Sequence, residues 1–167
     1  MPRSVGKLPR WLHRALLNFA HRRLDTAPDF VIGGDYLLRW WILPRNPLLN
    51  VYLHVFGRSD DDRALHDHPW ASCSIVLTGG YWEVLPCSPS IPIASTFEVW
   101  RAPGAVVVRG AREAHRIALD PGEYCVTLFI TGPRVRSWGF WCPRGWRHWK
   151  EFTNPKDGGA TVGRGCE

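Results

Sequence analysis

Short segments of alternating apolar and polar residues, separated by turns rich in glycine and proline, recur along most of this 167-residue chain. In the clearest of them, Val51, Leu53 and Val55 lie on one face of the segment, and Tyr52 and His54 lie on the other. Alternation with a period of two is typical of a β-strand that buries one face. Many such strands in one chain predict an all-β domain, either an antiparallel sandwich or a barrel.

The turns between these segments set the predicted order of the strands. We predict strands over residues 36–43, 50–56, 70–78, 81–85, 96–100, 105–109, 114–119, 124–130 and 137–141. Only Gly79 and Gly80 separate the third strand from the fourth, which predicts a β-hairpin between these two strands. A barrel closed by such strands has a lumen, in which inward-facing polar side chains gather.

A single amphipathic helix is predicted ahead of the strands, over residues 8–24, because Leu12, Leu16 and Phe19 recur at helical spacing. Six basic residues precede the first acidic residue, Asp25, and the net charge of the chain is +6. This excess permits contact with nucleic acid, an anionic surface or a partner protein. A solvated helix face explains the same residues, and we favour that interpretation.

The length of the chain favours a single domain. We divide it into an N-terminal helical extension (1–30), a barrel (31–152) and a C-terminal tail (153–167). Beyond the barrel the composition turns to glycine, lysine, aspartate and threonine, with little to bury, so the tail is expected to be flexible.

The five cysteines are Cys73, Cys87, Cys125, Cys142 and Cys166, and none of them forms a CxxC pair. An odd number without that spacing predicts free thiols rather than a disulfide framework or a cysteine-type zinc site. Free thiols fit a reducing cytoplasm. The sequence also lacks the continuous apolar segment of a secretory signal or a membrane span, so we expect a cytoplasmic protein with no membrane contact.

Two histidines separated by one residue, His66 and His68, stand at the start of a predicted strand. On an extended backbone, side chains at positions i and i+2 leave the same face, so both rings can reach one point. A third histidine, His115, lies in another predicted strand. Three imidazoles that converge from two strands are a ligand set for a first-row transition metal.

These motifs resemble those of the cupin superfamily. The first cupin motif corresponds here to Gly57, His66, His68 and then Gly79 or Gly80, with Ser72 or Cys73 where the family has a glutamate. The second motif corresponds to Gly104, Gly110 and His115. The resemblance implies a double-stranded β-helix jelly roll with a metal in the barrel mouth, in a three-histidine variant without the motif glutamate. It implies that His66, His68 and His115 are the metal ligands.

Three neutral imidazoles leave the charge of a divalent metal uncompensated, so the site is expected to attract a small anionic substrate or ligand. The cupin thiol dioxygenases are similar, with three histidines and iron. This favours an Fe(II) oxygenase or dioxygenase, although imidazole also suits zinc, nickel, manganese and copper.

Two further residues are candidates for catalytic roles. Ser72 shares the predicted inward face of His66 and His68 and would hydrogen-bond a bound ligand or water. His54, if its face turns inward, is a candidate general base, and a structural histidine in a sheet is the other interpretation. A bulge after His68 would instead turn Cys73 inward as a thiolate ligand.

Other functions remain open at this point. The chain would also suit a cupin that binds or senses a small ligand without catalysis, or an isomerase or epimerase, for which Tyr81 and Tyr124 are available. Residues 138–150 interleave tryptophan with arginine; we favour packing over the barrel edge or a second subunit, and stacking on single-stranded nucleic acid is the alternative. A homodimer is expected, because barrels of this kind commonly pair.

Overall fold

The computed structural model describes residues 3–34, 36–60, 64–88, 95–157 and 161–167. Its strands are β1 (Arg3–Lys7), β2 (Phe30–Ile32), β3 (Leu37–Trp41), β4 (Asn50–Phe56), β5 (Leu65–His66), β6 (Ser72–Thr78), β7 (Tyr81–Pro86), β8 (Thr96–Arg101), β9 (Ala105–Arg109), β10 (Arg116–Ala118), β11 (Cys125–Thr131), β12 (Gly139–Cys142) and β13 (Gly145–His148). The helices are α1 (Arg10–Leu24) and α2 (Trp149–Phe152), with a 3₁₀ turn at Pro155–Asp157.

The strands form two walls of antiparallel sheet. One wall is a seven-stranded sheet in the order β1-β9-β6-β11-β4-β3-β2. The other wall consists of two three-stranded sheets, β10-β7-β8 and β13-β12-β5. An isolated bridge between His66 and His115 joins these two small sheets. The facing wall therefore has a seam, and two of the predicted metal ligands form it.

The two walls pack against each other through an inner apolar cluster. Leu37 and Phe56 of the seven-stranded sheet contact Tyr81 and Ile117 of the facing wall in this cluster. Strands that close over a shared core in this way form a jelly roll. The predicted all-β, double-stranded β-helix fold is confirmed.

Helix α1 covers the outer face of the seven-stranded sheet. Ala20 is fully buried there, against Trp40, Leu53 and Leu128 among others. The predicted amphipathic helix is thus a structural cover of the barrel, as its spacing of leucines indicates. None of the helices in the described ranges has the length and apolar character that a membrane crossing requires.

Several strands match the sequence prediction closely. Residues 50–56 and 105–109 form β4 and β9 with the predicted bounds. Two edge strands of the seven-stranded sheet, β1 and β2, were not predicted, because a few residues at the end of a sheet show too little alternation. The predicted boundaries between the N-terminal extension, the barrel and the tail, at residues 30/31 and 152/153, remain a prediction. Residues 3–7 of the extension form β1, which pairs with β9 of the seven-stranded sheet.

The predicted hairpin between residues 70–78 and 81–85 is wrong. Strand β6 pairs with β11 and β9, whereas β7 pairs with β10 and β8 in the facing wall. The Gly79–Gly80 turn therefore carries the chain from one wall to the other. Gly79 has a positive φ of 72°, and a Cβ there would lie 2.0 Å from the carbonyl oxygen of Tyr124. The glycines are required by this close crossing rather than by a hairpin.

The prediction that all five cysteines are free is also wrong. Cys142 and Cys166 form a disulfide, while Cys73, Cys87 and Cys125 are free thiols. The two partners are 24 residues apart, and nothing in that spacing marks them as a pair.

The disulfide changes the description of the C-terminal segment, which was predicted to be a flexible tail. Thr153 forms a β-bridge with Val162, and Cys166 is tied to β12. The described part of this segment, residues 153–157 and 161–167, therefore contacts the barrel. Thr161 and Val162 line the same cavity as the three histidines.

Candidate metal centre

Backbone pairing at the seam places two of the three histidines directly opposite each other. The amide of His66 donates to the carbonyl oxygen of His115 at 2.9 Å, and the amide of His115 donates to the carbonyl oxygen of His66 at 3.0 Å. Two residues that exchange both backbone hydrogen bonds in this way form a hydrogen-bonded pair of an antiparallel sheet. This pairing fixes the separation of their Cα atoms. The rings of the two histidines are 4.9 Å apart, centroid to centroid.

Asp67, between the two motif histidines, fixes their orientation from the opposite side of the strand. Its buried carboxylate accepts hydrogen bonds from the amide of Gly139 at 2.9 Å and the indole N–H of Trp146 at 3.0 Å, and it pairs with Arg136 at 2.9 Å. Because side chains alternate along an extended backbone, this anchor turns His66 and His68 to the other face. The predicted alternation of side chains along His66, Asp67 and His68 is present in the structure.

The three rings bring their nitrogens together at one point. The ligand atoms of His66, His68 and His115 all lie within 4.8 Å of one another. The Nε2 atoms of His68 and His115 are 2.9 Å apart. Adjacent ligands of one metal, each about 2.1 Å from it, are about 3 Å apart, so this spacing fits a shared divalent ion.

Carboxylates lie behind two of these rings. Nδ1 of His115 is 3.1 Å from Oε1 of Glu83, and Nδ1 of His66 is 3.6 Å from Oδ2 of Asp60. A metal-binding histidine usually directs its second ring nitrogen to a carboxylate, which sets the tautomer and orients the ring. Glu83 and Asp60 are in that position here, and neither was identified from the sequence.

Burial keeps two of the three candidate ligand rings neutral. It lowers the pKa of His115 to about 4, with a further contribution from the positive charge of Arg109. Burial, and then the neighbouring His66 and His115 rings, hold the pKa of His68 well below its ordinary value. A neutral imidazole has a free lone pair for a metal, so both rings are ready to act as ligands at neutral pH.

Glu83 is the centre of a buried ionic network beneath His115. Its carboxylate accepts from Nε of Arg101 at 2.7 Å and from Nε of Arg109 at 2.6 Å. Burial alone would raise the pKa of Glu83, but Arg109, His115 and Arg101 together hold it well below its ordinary value. The carboxylate is therefore ionised at neutral pH. The first motif of this chain lacks a glutamate. A glutamate from another strand, Glu83 of β7, lies instead behind the ring of His115.

A cavity of about 340 Å³ opens in front of the histidine cluster. Aromatic side chains from both walls form much of its lining; they are Phe30, Tyr36, Phe56, Trp70, Tyr81, Phe129, Trp138 and Phe140. This volume is at the small end of the range of roughly 300–1,000 Å³ for ligand pockets. His66 and His68 are half-buried while His115 is buried, so the cluster faces the cavity.

The predicted catalytic residues occupy different places. His54 lines the cavity, and its Nε2 accepts a hydrogen bond from Nε of Arg39 at 2.8 Å. Ser72 is buried in β6 and is not among the residues that line the cavity, whereas Ser74 is. Cys73 packs against the outer cluster beneath α1, so the regular alternation holds and the bulge alternative is wrong. The catalytic roles of His54 and Ser72 remain predictions.

The aromatic segment near the C-terminus forms part of the cavity wall. Strand β12 pairs with β5, and the Phe140 ring stacks on Phe152 with centroids 3.7 Å apart. This agrees with the interpretation of packing over the barrel edge. Of the two tyrosines considered for epimerase chemistry, Tyr81 lines the cavity and Tyr124 is exposed on the outside.

The neutral state of His54 predicts an acid-sensitive fold. Burial, and then the charge of Arg39, hold the pKa of His54 well below its ordinary value. As the pH falls below about 6.5, the unfolded chain gains a proton on this residue that the folded chain does not, so stability falls by up to about 1.4 kcal/mol per pH unit from this histidine. Urea midpoints at pH 7.5 and 5.5 measure the loss. We expect a shallower dependence in His54→Gln; an unchanged slope in that variant would contradict the assignment.

Similarity to a solved structure with a TM-score above 0.5 supports the fold. A prolyl-4-hydroxylase from Pseudomonas putida aligns with a TM-score of 0.54 and 17% identity, over 81% of this chain and 92% of that one. A cupin superfamily protein from Desulfitobacterium hafniense aligns with a TM-score of 0.45 and 14% identity, over 65% and 82%. A polyketide cyclase from Streptomyces resistomycificus gives 0.48 and 20%, over 66% and 80%. No protein-family model and no curated protein matches the sequence.

The strand order and the histidine geometry lead to the same conclusion. The two walls form a jelly roll, and the cluster at the seam fits a divalent metal in its mouth. The position of the motif glutamate is taken by Ser72 and Cys73, and neither of them joins the cluster. The chain thus has an antiparallel jelly-roll fold similar to that of the P. putida prolyl-4-hydroxylase, with a three-histidine cluster and no glutamate at the motif position.

Proposed function

We propose that this protein is a metal-dependent cupin that holds a divalent transition metal, with iron(II) favoured, and acts as an oxygenase or dioxygenase on a small anionic substrate. The observation that carries the proposal is the convergence of His66, His68 and His115 at the cavity, with their ligand atoms within 4.8 Å of one another. Iron(II) bound by three neutral imidazoles would supply Lewis acidity and redox chemistry with dioxygen.

The surrounding residues prepare the site for this chemistry. Glu83 and Asp60 lie 3.1 and 3.6 Å from the ring nitrogens of His115 and His66 that face away from the cluster, where a carboxylate can orient a ligand ring once a metal is bound. The aromatic lining gives the cavity wall a low polarity, which strengthens electrostatic attraction between the centre and an anionic ligand. The similarity to a prolyl-4-hydroxylase, which is an oxidising enzyme by its name, agrees with an oxygenase on this fold. The homodimer and the cytoplasmic location stay predictions.

Oxygen consumption tests the proposal. Protein loaded with iron(II) under anaerobic conditions is mixed with air-saturated buffer that contains candidate thiols or organic acids, and dissolved oxygen is followed with an electrode. We expect uptake that depends on both iron and an organic acid or thiol, and that disappears in His66→Ala. Metal binding without any uptake would favour the non-catalytic, ligand-binding alternative. Full metal occupancy in His66→Ala would remove the basis of the proposal.

A further inference from the structure

Arg39 brings a positive charge into a cavity wall that is otherwise largely aromatic and apolar. Cross-strand register places Arg39 of β3 beside His54 of β4, and His54 beside Thr127 of β11. All three side chains line the cavity, so they form one polar row across the seven-stranded sheet. The histidine cluster reaches the same cavity from the facing wall.

Two contacts hold the Arg39 guanidinium in a fixed orientation. Its Nε donates to Nε2 of His54 at 2.8 Å, and its central carbon lies 4.8 Å from the centroid of the Tyr52 ring. His54 is itself stacked between Tyr52 and Phe129, at centroid distances of 5.8 and 5.2 Å. A guanidinium that is oriented before a ligand arrives loses less entropy when it binds one.

The charge of Arg39 has no anionic partner among the described residues. The ion pairs found there include the buried Arg101 and Arg109, which share Glu83, but none includes Arg39. The hydrogen bond to His54 uses Nε, and no acceptor in the described ranges bonds to the terminal nitrogens. A partly desolvated cation is costly without an anion. The planar fork of arginine matches a carboxylate in particular.

We infer that Arg39 binds the carboxylate of the substrate, and that the substrate is a small organic acid with an aromatic or apolar body. The cavity of about 340 Å³ limits the size of that body, and its aromatic lining determines its polarity. His54 is then a positioning residue, because its acceptor nitrogen is used to hold Arg39. The inference rests on the proposed function in one respect, that this cavity is the active site.

Binding of phenylacetate, 3-phenylpropionate and their uncharged amides tests the inference. Affinities are measured by calorimetry with the wild-type protein, both metal-free and loaded with zinc, which is redox-inactive. We expect the acids to bind more tightly than the amides in both forms. Arg39→Met should weaken binding of the acids by about 10- to 100-fold and leave the amides unchanged, because it removes one charge-assisted, bidentate pair. The matched control is Arg45→Met, since Arg45 contacts Trp41 in the same manner outside the cavity.

The outcomes separate this inference from the proposed function. Equal affinity for acid and amide in the wild-type protein, or unchanged acid affinity in Arg39→Met, would overturn the role of Arg39 even if the protein binds metal and consumes oxygen. Arg39-dependent binding of the acids in a protein that takes up no metal would support the carboxylate site and contradict the metal proposal. If Arg39→Met does not fold, Arg39→Lys takes its place, with a smaller expected loss because lysine cannot form the bidentate pair.

Discussion

Glu83→Gln is expected to destabilise the folded protein by about 3–5 kcal/mol, the usual cost of removing one partner of a buried ionic network. Glu83 is fully buried, and its two oxygens are used by Arg101 and Arg109. Glutamine keeps the shape of the side chain but removes its charge, so two guanidinium groups remain inside the barrel without an anion. Urea unfolding at pH 7.5 gives the change in the free energy of unfolding.

The same substitution is expected to weaken metal binding. The Glu83 carboxylate lies behind His115, and the loss of such a partner typically costs about 10- to 100-fold in metal affinity. Competition with a chelator measures this. Glu98→Gln is the matched control, because Glu98 is exposed on β8 beside β7. A Glu83→Gln protein within about 0.5 kcal/mol of the wild type, as surface substitutions usually are, would show that the network is not structural.

His66→Ala is expected to lower metal affinity by more than about 100-fold. Removal of a metal ligand costs more affinity than removal of the carboxylate that lies behind a ligand. Metal content after purification should fall from about one ion per chain to nearly none. The fold should survive, because His66 is half-buried and its backbone hydrogen bonds with His115 do not need the side chain. Elemental analysis gives the content, and circular dichroism verifies the fold.

His21→Ala is the control for this change. His21 is exposed on α1, which covers the outer face of the sheet, away from the cavity. It should retain metal at the wild-type level. If His66→Ala and His21→Ala contain equal amounts of metal, the histidine cluster is not the binding site.

The sequence predicted the clustering of the three histidines because much of the decisive information is local. His66 and His68 are neighbours on one strand, so their common face follows from the period of two. The same rule placed His54 and Tyr52 on one face of their strand but left open whether that face turns inward; the structure shows that His54 lines the cavity. His115 was the harder case, and it required the resemblance to the second cupin motif in addition to the strand pattern.

The residues that the sequence did not reveal act through long-range contacts. Glu83 is an acidic residue in an apolar strand, which is a recognisable signal, but its pairing with Arg109 spans 26 residues. Arg39 lies in the predicted strand over residues 36–43, and nothing in that segment indicates its place beside His54 until the register of the two strands is known. Local alternation fixes which face a side chain takes and leaves its partner across the barrel undetermined.

Topology and cross-linking were missed for a related reason. Two glycines suit a hairpin and a crossing between walls equally well in the sequence, and only the packing of Tyr124 against Gly79 distinguishes them. Likewise, nothing near Cys142 or Cys166 marks them as partners, because the 24-residue separation is closed by the fold of the C-terminal segment.

Diffraction data collected at the absorption edge of the bound metal, on crystals of protein whose metal has been identified by elemental analysis, test the central claim most directly. The account predicts one anomalous peak, about 2.0–2.2 Å from a ring nitrogen of each of His66, His68 and His115. A peak elsewhere in the molecule, or metal-loaded crystals without a peak between these three rings, would contradict it.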